Sequence, residues 1–195
     1  MKAVEELESL KSEIFEMHEV AKESVRLCFI AMRGRRDVVK EISKLEEKSD
    51  KMEAEIQDHC ARILIRFHPF ARDFRFTMSA MRMASAYERI VDLAQEVALY
   101  ECGFREKIFE AENALLEMFD LILDGYEDSR KLLELSKLDD VVDKAYIEAM
   151  EEVENKFESV DEILAIRHIE RIGDLLCKIG TRLFYAINGK WVWIR

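Results

Sequence analysis

A single proline, Pro69, and six glycines interrupt 195 residues in which apolar side chains recur at steps of three and four. A sandwich or barrel of short strands needs turn residues roughly every 8–12 positions, and this chain does not supply them. Long amphipathic helices are the fold that remains.

Leu7, Leu10, Ile14, Met17, Ala21, Ser24, Cys28 and Ala31 form one apolar stripe, which predicts a helix from about residue 4 to Gly34. A second stripe runs from Ile42 through Ser49, Ile56 and Ile63 to Phe67. It should end near His68, because Pro69 forces the residue before it out of helical geometry. A third helix is expected over about 70–102, stopped by Gly103 in the position after the last turn. Ala111, Leu115, Met118, Ile122 and Leu133 mark a fourth over about 105–136, with Gly125 as its weak point. A fifth is expected over about 138–155, and Ser159-Val160-Asp161-Glu162 reads as a capping box opening a sixth that ends at Gly189. The expected fold is all-α and elongated: two tandem three-helix bundles, residues 1–102 and 105–195, built from six long antiparallel helices.

The formal charge of -11 and a pI near 5.0 argue against nucleic acid as a partner, since phosphate backbones need a concentrated basic surface. Arg33, Arg35 and Arg36 form a small basic knot, read as a solvated helix junction. Cys28, Cys60, Cys102 and Cys177 are widely spaced among apolar residues without a C-x-x-C pair, the pattern of buried thiols in a reducing cytosol. From the charged N-terminus and the lack of an apolar run of roughly 18 residues, neither a signal peptide nor a membrane-spanning helix is expected. The expected localisation is cytoplasmic, with any membrane association peripheral and through partners.

The most informative motif is Glu88-Arg89-Ile90-Val91-Asp92, which returns as Glu170-Arg171-Ile172-Gly173-Asp174. An acid pair four apart lies on one helix face, roughly 6 Å apart along the axis. The preceding helix of each triplet carries a pair of the same spacing, Glu46 with Asp50 and Asp139 with Asp143. In an antiparallel hairpin, residues equally far from the turn are level. Glu46 is level with Asp92, and Asp50 with Glu88, about Pro69; Asp139 is level with Asp174, and Asp143 with Glu170, about the Lys156–Phe157 bond. If the pairs converge, each hairpin sets four carboxylates along a groove on the outer surface of the bundle, with oxygen ligands suited to Fe, and also to Zn, Mn or Mg.

These residues resemble the PhoU family, whose two three-helix repeats carry E(D)xxxD motifs that bind metal. The resemblance also covers Pro69-Phe70-Ala71-Arg72-Asp73-Phe74-Arg75, similar to the family's P-x-A-x-D-L-R, and Tyr185-Ala186-Ile187-Asn188-Gly189-Lys190. It implies a non-enzymatic, cytoplasmic negative regulator of phosphate uptake and phosphate-starvation signalling. The implied partners are a phosphate ABC transporter ATPase and a sensor histidine kinase. The metal ligands it implies are Glu46, Asp50, Glu88, Asp92, Asp139, Asp143, Glu170 and Asp174. Three departures stand out: the second hairpin is shorter, it lacks a second P-x-A-x-D-x-R, and Asp139 stands where the first repeat has Glu46.

Arg89 and Arg171 are read as salt-bridge partners of the acids, and Asp73 and Arg75 as organisers of the Pro69 turn. Trp191 and Trp193 either pack back on the bundle or form a docking or homodimer surface. Competing readings are a carboxylate-bridged metalloenzyme or metal store, an accessory subunit of a different phosphate permease, and a structural module without metal. The four histidines show no Glu-x-x-His pattern, which speaks against a ferritin-like di-iron centre.

Overall fold

The structure, a computed structural model, describes residues 2–100, 106–155 and 159–194. Six α-helices account for most of them: α1 Lys2–Met32, α2 Val39–Phe67, α3 Ala71–Leu99, α4 Glu110–Asp124, α5 Leu135–Asn155 and α6 Val160–Asn188. Among the described residues there is no strand, and no helix is long and apolar enough to cross a membrane.

The helix ends follow local chemistry. His68 closes α2 in the left-handed region at φ 46, ahead of Pro69, and Ala71 also has φ 46. At the end of α3, Arg36 donates to the carbonyls of Leu99 and Tyr100 at 3.2 and 3.1 Å, satisfying acceptors that the helix leaves open. The rest of the basic knot is also engaged: Arg33 pairs with Glu112 and lies over the Phe109 ring, and Arg35 pairs with Asp37 at 2.8 Å. It is a helix junction, as its sequence suggests. Ser159 caps α6, but its hydroxyl accepts from the Asp161 N–H at 3.2 Å, one residue earlier than a capping box would have it. Gly189 closes α6 at φ 70, its N–H bonded to the Tyr185 carbonyl at 2.8 Å.

The fourth helix differs from its sequence reading. It stops at Asp124 rather than running to about residue 136, and a 3-10 turn at Ser129–Glu134 leads into α5. The reason is at Gly125, where a Cβ would lie 2.3 Å from Leu132 Cδ2. Leu132 folds back into the space a side chain would need, so the chain doubles over the glycine, and Leu133 is left exposed. The Gly103 stop and Cys102 lie outside the described residues. Cys28, Cys60 and Cys177 are buried free thiols.

Helix α3 is the hub: it packs on α1, α2 and α6 to nearly the same extent. His168 of α6 joins it through Glu96 at 2.7 Å and the Tyr100 hydroxyl at 3.2 Å. Where α1, α3 and α4 meet, His18 Nδ1 and the buried Tyr87 hydroxyl are 2.9 Å apart, with the Phe119 ring edge-on to the imidazole. Burial above all lowers the His18 pKa to about 4, so this histidine is a neutral member of the core. Arg75, near the start of α3, lies over Gly189, its Cζ 3.1 Å from where a Cβ would sit. α6 has no basic residue in its last turn, and Arg75 brings the positive charge that a helix C-terminus favours.

Candidate metal centres

The Pro69 turn sets the register of the first hairpin. Glu53 and Ser85, equidistant from Pro69, are joined by a 2.5 Å hydrogen bond from the serine Oγ to Glu53 Oε1. Glu46, Glu88 and Asp92 are half-buried and Asp50 is exposed. Burial raises the Glu88 pKa above the usual glutamate range; Glu53, Asp50 and Glu46 raise it further, against the pull of Arg89. Four acids thus share one field here, and Glu53 joins three of the predicted four. Asp92 is turned away to Arg89, which donates to its Oδ2 and lies 3.7 Å from Glu96. Gln95 Nε2 donates to Glu46 Oε2 at 3.5 Å.

The second hairpin gathers all four of its acids. Asp143 is raised by burial, Asp174 and Asp140; Glu170 is raised by burial and by Asp174 and Asp143, with Arg167 and Arg171 opposing. Asp143 and Asp174 are exposed and Glu170 half-buried, but Asp139 is 8% exposed and stands on the core stripe of α5, between Leu135 and Val142, rather than on the outer surface. Gly173 makes this burial feasible, because a Cβ there would lie 2.9 Å from Asp139 Oδ1. The Cys177 thiol donates to the same carboxylate. The shorter Asp139 side chain, a departure from the first hairpin's Glu46, therefore fits a tighter helix approach.

Among the described residues, no three His, Cys, Asp or Glu side chains close round one point. The acids of each row stand apart, as like charges do. The donor set still suits a hard or borderline cation, because it is rich in carboxylate oxygen and short of compensating charge. Glu170 carries the sharpest sign: its Oε1 accepts from Arg167 at 3.3 Å, while its Oε2 is buried with no hydrogen-bond partner among the described residues. A cation would be held by Glu46, Asp50, Glu88 and Asp92 on one hairpin and by Asp139, Asp143, Glu170 and Asp174 on the other. Glu53 and Asp140 are the acids that sequence reasoning passed over.

The PhoU domain family matches residues 14–100 and 108–183. The chain belongs to the PhoU family. The phosphate-specific transport system accessory protein PhoU homolog of Archaeoglobus fulgidus is 45% identical over the full length of both chains. The homolog of Borreliella burgdorferi is 27% identical over 98% of this chain and 97% of its own. The crystal structure of PhoU from Pseudomonas aeruginosa superposes with a TM-score of 0.84 at 25% identity, covering 95% of this chain and 98% of that one. PhoU of Streptococcus pneumoniae gives 0.86 at 22% identity, over 97% and 99%, and bears on the fold alone.

Within this PhoU fold the two copies of the acidic motif are not equivalent. Arg89 is paired with Asp92, whereas Arg171 is exposed and, among the described residues, has no ion pair. The C-terminal tryptophans pack back on the bundle: Trp191 stacks on Tyr185 with centroids 4.2 Å apart, Arg182 lies over its ring, and Trp193 remains 75% exposed.

The second row makes stability depend on pH. Burial first, then Asp143, Asp174 and Asp140, raise the Asp139 pKa to about 6, with the Cys177 hydrogen bond opposing. The folded chain therefore holds this proton more tightly than the unfolded chain, whose aspartates titrate near about 3.9. The resulting stabilisation is complete below about pH 4 and lost as pH rises through 6. From about pH 5.5 to 7.5, the metal-free protein is expected to lose about 1 kcal/mol on account of Asp139, a few degrees in Tm. Asp139→Asn should remove that part of the slope in melts run with chelator; an unchanged slope would refute the assignment.

Proposed function

We propose that this PhoU-family protein is a cytoplasmic negative regulator of phosphate transport and phosphate-starvation signalling. In this reading it is built from two repeats, residues 1–102 and 105–195, and acts as a binding protein rather than an enzyme. Its partners are the ATPase of a phosphate ABC transporter and a sensor histidine kinase. The observation that carries the reading is end-to-end identity of 45% to a phosphate-specific transport accessory protein.

Metal belongs to the proposal through the two carboxylate rows. A bound cation would neutralise acids among which Glu88, Asp139, Asp143 and Glu170 have their pKa raised first by burial and then by neighbouring carboxylates, and would tie α2 to α3 and α5 to α6. Iron suits the oxygen-rich donor set; Zn, Mn and Mg are the alternatives.

Cells lacking the protein are expected to keep taking up phosphate, and to keep starvation genes on, when phosphate is abundant. Tagged protein should recover the transporter ATPase and the kinase from lysate. Normal shut-off in the deletion strain, with recovery of a single-component permease alone, would overturn the reading in favour of a different permease.

A further inference from the structure

The offset that carries Glu88 to Glu170 and Asp92 to Asp174 also carries Gln95 to Cys177. Each of these two side chains reaches the equivalent acid of the facing helix. On the first hairpin Gln95 Nε2 donates to Glu46, the acid level with Asp92. On the second the Cys177 thiol donates to Asp139, the acid level with Asp174. The fold thus aims this position of α3 and α6 at its own carboxylate row, with an amide in one copy and sulfur in the other.

We propose that Cys177 is a metal ligand of the second row, which takes Zn²⁺ through one thiolate and the carboxylates of Asp139, Asp143 and Asp174, while the first row takes a harder cation. The inference rests on the reading of the rows as cation sites and adds a ligand to one of them. All four side chains line one cleft of about 580 Å³, so a cation that enters along the row meets sulfur and oxygen together. Cys177 follows Asp174 by three residues, which makes the two neighbours on α6. Cys177 is 3% and Asp139 8% exposed, so they form the floor of the cleft, with the exposed Asp143 and Asp174 above them.

One thiolate and three carboxylates supply the four ligands that Zn²⁺ takes, and sulfur is the donor that selects it over Mg²⁺ and Mn²⁺. Binding is an exchange without redox change: the S–H bond breaks as the S–Zn bond forms, and the proton leaves to solvent. On the first row the equivalent position offers only an amide, so nothing there favours a soft metal.

Co²⁺ added to the metal-free chain reports its own ligands, because thiolate coordination gives an intense near-ultraviolet charge-transfer band and carboxylate coordination does not. The native chain is expected to develop that band saturably, and Cys177→Ser to lose it while its rows still bind Co²⁺. Serine keeps a hydrogen-bond donor beside Asp139, so a cysteine that only positions this acid would leave metal affinity where it was. Loss of a ligand should instead weaken the tightest Zn²⁺ site by more than the ~10–100-fold that an outer-shell partner is worth, and leave Mg²⁺ binding unchanged. The paired substitution of two exposed acids, Asp143→Asn with Asp174→Asn, is the second variant and should weaken Co²⁺ binding and the band together. A band that survives in Cys177→Ser, or is indifferent to the paired amides, overturns the inference. Co²⁺ released by those amides but never showing the band leaves the cation reading intact and removes this one; no Co²⁺ binding at all removes both.

Discussion

Protein purified without added metal should carry bound cations, and a variant with all eight row acids converted to amides should carry almost none. The substitutions are Glu46, Glu88 and Glu170 to Gln, and Asp50, Asp92, Asp139, Asp143 and Asp174 to Asn. Amides keep the shape of each side chain and remove its charge, so helix content should be unchanged. The argument is electrostatic: Glu88, Asp139, Asp143 and Glu170 are each raised first by burial and then by neighbouring acids of their own hairpin, which marks sites that favour any positive charge, proton or metal. The two kinds of protein should then respond to metal in opposite ways. In chelator the variant should melt higher, because the repulsion is gone. With free metal about a thousandfold above Kd, the native chain should gain about 4 kcal/mol and the variant nothing. Elemental analysis and paired melts would show both effects; equal, negligible metal in the two proteins would refute the centres. Removing the acids one hairpin at a time tests an asymmetry, since on the first a cation competes with Arg89 for Asp92.

Leu93→Ala should cost about 2–5 kcal/mol, roughly 5–15 °C in Tm, and should do so for the whole chain at once. Leu93 is fully buried on α3, and α3 packs on α6 as extensively as on α1 or α2. Circular dichroism reports all the helices, whereas fluorescence reports only Trp191 and Trp193, beyond the end of α6. The two denaturation curves should coincide, and Leu93→Ala should shift both equally. A fluorescence transition indifferent to a substitution in α3 would show two independent bundles.

The helices were legible because their signals are repetitive: a stripe of apolar residues, a proline to stop it and a glycine to close it. The register of the first hairpin was legible too, since the Pro69 midpoint that levels Asp50 with Glu88 also levels Glu53 with Ser85, which are hydrogen-bonded. Carrying that arithmetic one step further along α2 would have found Glu53. What could not be read lay in contacts between elements distant in sequence. Leu132 folding over Gly125 shortens α4, and nothing in the local pattern distinguishes that glycine from a tolerated one inside a helix. Gly173 reads as an ordinary variation on Val91, yet it is the space into which Asp139 is buried. Asp139 itself looks like one surface acid among 41 acidic residues until it is seen on the core stripe.

Arg75 over Gly189 bears on how such a chain could change over time. The segment opening α3 and the segment closing α6 lie far apart in sequence, and here they meet. The second hairpin has no proline-led copy of its own, and the end of α6 is served by the first copy's arginine. The contact makes the close of α6 depend on a side chain from the opening of α3, so a change at either end is felt at the other. The acidic motif recurs in the sequence, while the contact that joins the ends of α3 and α6 occurs once among the described residues.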